Sequence, residues 1–252
     1  MSGRGLLTGV MLSLFVVAGF AQAQDYSVFS RKRPQLDRRY GLQFIGGDGQ
    51  YAMDDVNAYV TDNQPVGNST NVSGAVSWGF AMLYRTQKHF RWTIGYTALG
   101  QDKTEAAWTD SNGDQLNEQT VSGNEYYVMG SYMLTFGDRF HLALGAGPEL
   151  VSGRLDRRST STTSVYNAHG RSLGGRAGVA AEFMFTKNFG LHLMGGYRAA
   201  KVSNLIYKDR SGTDTDLYWG NSNRKMTLDF SGVFLEGGIR VYFQPATGWF
   251  HM

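Results

Sequence analysis

Between residues 79 and 197 the chain alternates large apolar with small or polar positions at a period of two, the pattern of strands that have one apolar face. Phe90, Trp92, Ile94, Tyr96 and Ala98 share one side of a strand, with Arg91, Thr93, Gly95, Thr97 and Gln101 on the other. Tyr126, Val128, Tyr132, Leu134 and Phe136 oppose Glu125, Tyr127, Ser131 and Thr135 in the same way. The following strands set Phe140, Leu142, Leu144 and Leu150 against His141, Ala143, Gly145, Gly147 and Glu149, then Leu173, Val179, Phe183 and Phe185 against Ser172, Gly174, Arg176, Gly178 and Glu182. In residues 189–200, Phe189, Leu191, Leu193 and Tyr197 stand opposite Gly190, His192, Gly196 and Arg198.

Three segments (79–96, 128–147 and 180–197) repeat one layout: a strand, a short polar turn, and a Phe that opens the next strand. Their turns, Thr86 to His89, Gly137 to Arg139 and Lys187-Asn188, have hairpin length. Between them lie stretches rich in Asp, Asn, Ser, Thr and Gly: Ala52 to Asn71, Lys103 to Val121, Asp156 to Gly170 and Lys208 to Lys225. Such composition predicts loops. A first strand at Tyr40 to Tyr51 and a last at Met226 to Phe243 bring the count to eight, joined alternately by long and short connections. Every long loop then falls at one end of the sheet. Parity breaks between Phe230 and Val233, which predicts a bulge at Ser231-Gly232.

The polar face is also the small one, made of Gly, Ala and Ser with a few charges. A water-soluble barrel with large aliphatics outside and small residues inside would enclose a void and expose a greasy belt. The pattern therefore predicts an all-β, eight-stranded antiparallel up-and-down transmembrane barrel with an apolar exterior. Each segment has at least the ~9–11 residues that a tilted strand needs to cross a bilayer. Closure pairs every backbone N–H and C=O, as lipid requires. Phe90, Trp92, Phe136, Phe140, Phe185, Phe189 and Phe243 gather near the short turns, with Tyr40, Tyr84 and Tyr132 close by, and predict an interfacial girdle.

Composition agrees with a strand-rich chain: of 252 residues, 33 are Gly, 15 Phe and 14 Tyr, against 4 Pro. The absence of Cys excludes a disulfide or thiolate-metal framework. A formal charge of +3 with no long basic stripe gives no reason to expect a nucleic-acid partner. Residues 1–23 read as an export signal, with Arg4, an apolar run from Leu6 to Phe20, and Ala21-Gln22-Ala23 as the cleavage site. Residues 24–39 follow as a basic tail, 40–243 as the barrel and 244–252 as a C-terminal tail.

With this layout the chain resembles the small eight-stranded bacterial outer-membrane barrels of OmpA/OmpX type, often grouped as porin-family or outer-membrane β-barrel domain proteins. Near the C-terminus EGGIRVYF is similar to that family's assembly signal, with Glu236, Gly238, Val241 and Phe243 in its places and nine residues following. The resemblance implies a bacterial outer-membrane location, short periplasmic turns and long extracellular loops, and contact with outer-membrane lipid and the barrel-assembly machinery. It implies no single activity, since one fold hosts many functions.

Charges at inward positions, Glu149, Arg176, Glu182, Arg198, Glu236 and Arg240, predict a charge-paired plug, because an eight-stranded interior is about filled by side chains. Arg198 is expected to pair with Glu149 or Glu236. The first functional expectation is a structural or loop-mediated interaction role with an extracellular or envelope partner. A narrow pore for ions or very small solutes comes second, and a lipid-modifying enzyme third. Catalysis needs a nucleophile with a base in reach, and the five His (His89, His141, His169, His192, His251) suggest no such group. His141 and His192 are expected to fill the lumen, and no metal or cofactor is expected. Asp110, Asn112, Asp114 and Glu118 have the wrong Gly placement for a calcium loop and read as turn chemistry. Tyr218 and Trp219, aromatic in a polar loop, are the candidate interaction residues.

Overall fold

The computed structural model describes residues 39–62, 68–87, 89–110, 113–159, 166–209, 211–218 and 223–243. The segments read as export signal (1–23) and C-terminal tail (244–252), the basic tail up to residue 38, and Trp219 lie outside the described residues. The barrel strands are β1 (Tyr40–Gln50), β2 (Gly74–Gln87), β3 (Phe90–Asp110), β4 (Gly113–Phe136), β5 (Phe140–Ser159), β6 (Tyr166–Met184), β7 (Phe189–Ala199) and β8 (Gly232–Phe243). Each pairs antiparallel with its sequence neighbours. The ring closes where β1 meets β8, from Tyr40↔Phe243 to Gly49↔Phe234. Within the closed ring no edge is left for another strand to extend.

Alternation sorts the two faces. Leu42, Phe44, Trp78, Phe80, Met82, Ile94, Leu144, Leu173 and Leu193 are exposed on the outside, while Gln43, Arg91, Thr97, Glu125, Glu182 and Arg240 are buried within. Near the short turns, aromatic rings meet in pairs around the wall: Tyr40–Tyr84 at 5.1 Å, Phe90–Trp92 at 5.2 Å, Phe136–Phe140 at 6.0 Å and Phe185–Phe189 at 5.9 Å between centroids. This is the arrangement of an interfacial girdle.

Four strands run well beyond the apolar belt. β3 and β4, of 21 and 24 residues, stay paired out to Asp110↔Gly113, so Lys103 to Val121 is the distal part of a hairpin instead of the loop its composition predicts. Polar strands are stable there because both faces meet water or protein, not lipid. Asp156 to Gly170 is also partly strand, with Asp156 paired to Asn167. A register shift between Leu99 and Gln101 reverses parity, so Gln101 is exposed and not inward as strict alternation predicts.

The stretch Ala52 to Asn71, expected to be loop throughout, contains helix α1 (Asp54–Asp62). Asp54 and Asp55 lie in its first turn, favourable to the helix dipole, and Val56, Tyr59 and Val60 are buried on one face. Asp55 accepts hydrogen bonds from the Thr227 amide (3.1 Å) and hydroxyl (2.5 Å), and pairs with Arg224. The Asn57 side chain binds both the N–H (2.8 Å) and the C=O (2.9 Å) of Val72. These contacts tie α1 to the segments entering β2 and β8.

The last barrel strand starts at Gly232, later than the expected Met226. Leu228-Asp229 instead pairs with Lys201-Val202 in a separate two-stranded ribbon. The break in parity at Ser231-Gly232 is thus the junction between that ribbon and the barrel. Residues 206–208 and 214–216 form a small hairpin against β6.

Candidate functional site

The lumen is filled in layers, and the layer at the loop end is apolar. Tyr51, Met53 and Val56 come from the α1 segment; Val202, Leu205, Leu217, Met226, Leu228 and Phe230 come from the long connection between β7 and β8. They pack on Leu99, Val121, Val151 and Leu155 of the extended wall. The Phe230 ring is seated on Gly153: a Cβ added there would lie 2.8 Å from Phe230 Cε2. Glycine is needed here to let ring and strand meet. This loop-end plug has no counterpart among the sequence expectations, because its apolar residues are scattered through stretches that read as polar.

Below it lies the first charge tier. Arg176 on β6 donates to Glu125 on β4 (2.8 Å) and to Glu236 on β8 (2.9 Å). Arg198 on β7 donates to the other Glu125 oxygen (2.7 Å) and to the Phe230 carbonyl (3.1 Å). The Arg176 guanidinium is held between the Tyr127 ring (4.3 Å) and the Phe234 ring (4.4 Å), a cation–π sandwich. Tyr127 itself crosses Gly95, where an added Cβ would lie 2.3 Å from its ring. Arg198 is therefore paired with Glu125, and with neither Glu149 nor Glu236 as expected. Glu149 is buried and inward but forms no ion pair, its carboxyl group set against that of Glu125.

A layer containing Ala81, Met129, Ala143, Ala180 and Met194 separates this tier from a second one near the short turns. There Glu182 accepts from Arg91 (3.0 Å), Arg240 (2.8 Å) and the Tyr242 hydroxyl (2.6 Å). Arg240 also donates to Gln43 (2.7 Å). His141 and His192 are buried at this level.

The six inward charges named from the sequence therefore divide between two tiers. Glu125 and Arg91, each at the centre of or bridging a tier, are missing from that set although strict alternation already places both on the inward face. Their depth along the strands is the signal that would have added them.

Outside the membrane region, Arg157 donates to the Tyr59 hydroxyl (2.7 Å) and lies 5.6 Å over the Tyr166 ring. Burial pushes the Tyr166 hydroxyl up to about 12. A groove of about 340 Å³ opens here, lined by Glu118, Asp156, Arg157, Arg158 and Tyr166 among others. Glu118 pairs with Lys103 (2.9 Å). Tyr218 is exposed. Among the described residues no group of three His, Cys, Asp or Glu is arranged to hold a metal ion.

No family model matches the chain. No curated protein matches it either. Among solved structures it is similar to small outer-membrane β-barrels. The outer membrane protein OprG from Pseudomonas aeruginosa is 12% identical over 82% of this chain and 97% of its own, with a TM-score of 0.49. For the N-terminal β-barrel domain of Pseudomonas aeruginosa OprF the values are 11%, 82%, 98% and 0.44. For Neisserial surface protein A they are 16%, 81%, 97% and 0.41.

Proposed function

We propose that this protein is an integral outer-membrane barrel with a closed lumen, acting as a structural element of the envelope or through its loop-end surface on an extracellular or envelope partner. The observation that carries this reading is the stack of closures along the barrel axis. An apolar plug, a tier of paired charges, an apolar layer and a second charge tier follow one another, with Leu99, Met133, Leu155, Phe230 and Arg240 essentially inaccessible. Opening a path for ions would require breaking buried ion pairs, each strongly stabilised against loss of one partner. An apolar exterior around a charged interior, ringed by aromatics at one edge, supports placement in an outer membrane.

Residues 1–23 act in this reading as a cleaved export signal, with residues 24–39 and 244–252 on the periplasmic side. The assembly signal is read by its lipid-facing members: Val241 and Phe243 are exposed outside, whereas the Glu236 side chain is buried on Arg176 and Gly238 shares its inward parity. The strands standing beyond the belt present the groove beside Arg157, and the exposed Tyr218 lies in the β7–β8 connection.

Planar-bilayer recordings of the purified barrel test closure. No steady current is expected, and a stable open conductance would replace this reading with that of a narrow pore. Deleting residues 209–223 tests the Tyr218 region. The barrel should still insert while binding to cells, matrix or envelope partner falls, and unchanged binding would remove that region from the interaction surface.

A further inference from the structure

The two charge tiers are balanced in different ways. In the tier nearer the loops, Glu125, Glu149 and Glu236 face Arg176 and Arg198, an excess of one carboxylate. A single proton on a carboxyl group removes that excess. Nearer the short turns Arg85, Arg91 and Arg240 face, among the described residues, Glu182 alone, an excess of two positive charges. A guanidinium does not give up its proton in a protein, so this excess cannot be titrated away.

The excess is also localised. Arg85 on β2 is in register with Arg91 on β3, which is in register with Ser131 on β4. All three are buried, at 6%, 1% and 1% exposure. Like charges directly opposed across two strands destabilise a sheet. Glu182 already accepts three hydrogen bonds and engages Arg91 through Nη1. Among the described residues Arg85 reaches no carboxylate, its Nη2 meeting the Met133 thioether at 3.5 Å. The Nε atoms of both arginines and the Ser131 hydroxyl are buried without partners among the described residues.

We propose that this row binds a small oxyanion in the periplasmic half of the lumen, bridging Arg85 and Arg91 with Ser131 as a further donor. The guanidinium edge matches the oxygen spacing of phosphate or carboxylate, and the anion relieves the repulsion between the two side chains. The row lies at the short-turn end of the lumen, with Arg85 two residues before the end of β2 and Arg91 the second residue of β3. This site is independent of the loop-end reading above, and neither stands on the other.

Isothermal titration calorimetry of the folded full-length barrel in detergent, with inorganic phosphate at constant ionic strength, tests it. Saturable binding at one site is expected, accompanied by a rise in the unfolding midpoint with phosphate concentration. Arg85→Gln should weaken binding at least tenfold, and Ser131→Ala about threefold. Arg154→Gln, on the exposed outer wall, should leave it unchanged. Absence of saturable binding by the unmodified protein would overturn the proposal. So would undiminished binding in Ser131→Ala together with undiminished binding in, or failure to fold of, Arg85→Gln.

Discussion

At the scale of single residues, Glu125 organises the lumen. It neutralises two arginines from different strands, so Glu125→Gln leaves Arg198 with a carbonyl as its principal partner and halves the charge around Arg176. We expect a loss of about 3–5 kcal/mol, read from urea unfolding of the barrel in lipid vesicles. Glu149→Gln, which breaks no ion pair, should cost no more than about 1 kcal/mol. Equal losses at the two positions would contradict the assignment of Glu125 as the bridging acid. Asp209 lies outside the membrane and accepts from the Ser211 amide (2.9 Å), the Thr213 amide (2.9 Å) and the Ser211 hydroxyl (2.6 Å). These bonds, led by the Ser211 hydroxyl, hold its carboxyl below the usual value. Their stabilisation is complete above the ordinary carboxylate value and is lost as the pH falls from there through the lowered one. Amide exchange at Ser211 and Thr213 should accelerate across that window, and constant protection would refute the linkage.

At the scale of elements, the loop end behaves like a small soluble core built on a membrane barrel. Phe230, fully buried, sits on the wall at Gly123 and Gly153. Phe230→Ala should cost about 3–5 kcal/mol by leaving a cavity. Gly153→Ala should cost about 1–3 kcal/mol by displacing the ring. Both losses are expected to appear first as protease sensitivity of the α1 segment and the β7–β8 connection, with the membrane part still folded. Simultaneous loss of the whole barrel at the same denaturant concentration would show that plug and barrel form one cooperative unit. The distal β3–β4 hairpin illustrates why composition misleads here. Asp, Asn, Gly and Thr are poor guides to loops where a strand keeps a partner, as β3 and β4 keep each other out to Asp110↔Gly113, with water on the outer face.

At the scale of the whole molecule, the exterior belt sets the environment. Leu144 is exposed on the outer wall, four residues from Phe140 in the girdle and six from Leu150. Leu144→Arg should destabilise insertion by about 2–4 kcal/mol, the cost of a cation near the bilayer midplane. Migration on gels with and without boiling provides the readout: the unmodified barrel should shift on heating, and the variant should lose its folded band at lower temperature. A variant as heat-resistant as the unmodified barrel would remove Leu144 from the lipid-facing belt.

Period-two alternation by itself determined which side of each strand faces out, because a strand offers only two faces and lipid accepts only one kind of side chain. The short turns also determined three of the pairings, β2 with β3, β4 with β5 and β6 with β7, because a connection of hairpin length leaves its two strands no choice but to pair. Which charges meet was decided only by closure of the barrel. Arg198 and Glu125 lie on β7 and β4 and come together across the lumen, a distance set by curvature and stagger that no local spacing encodes. The plug was decided there too. Its apolar residues are too sparse to mark an element in the sequence, and they become a core only where the extended wall of β3 to β6 surrounds them.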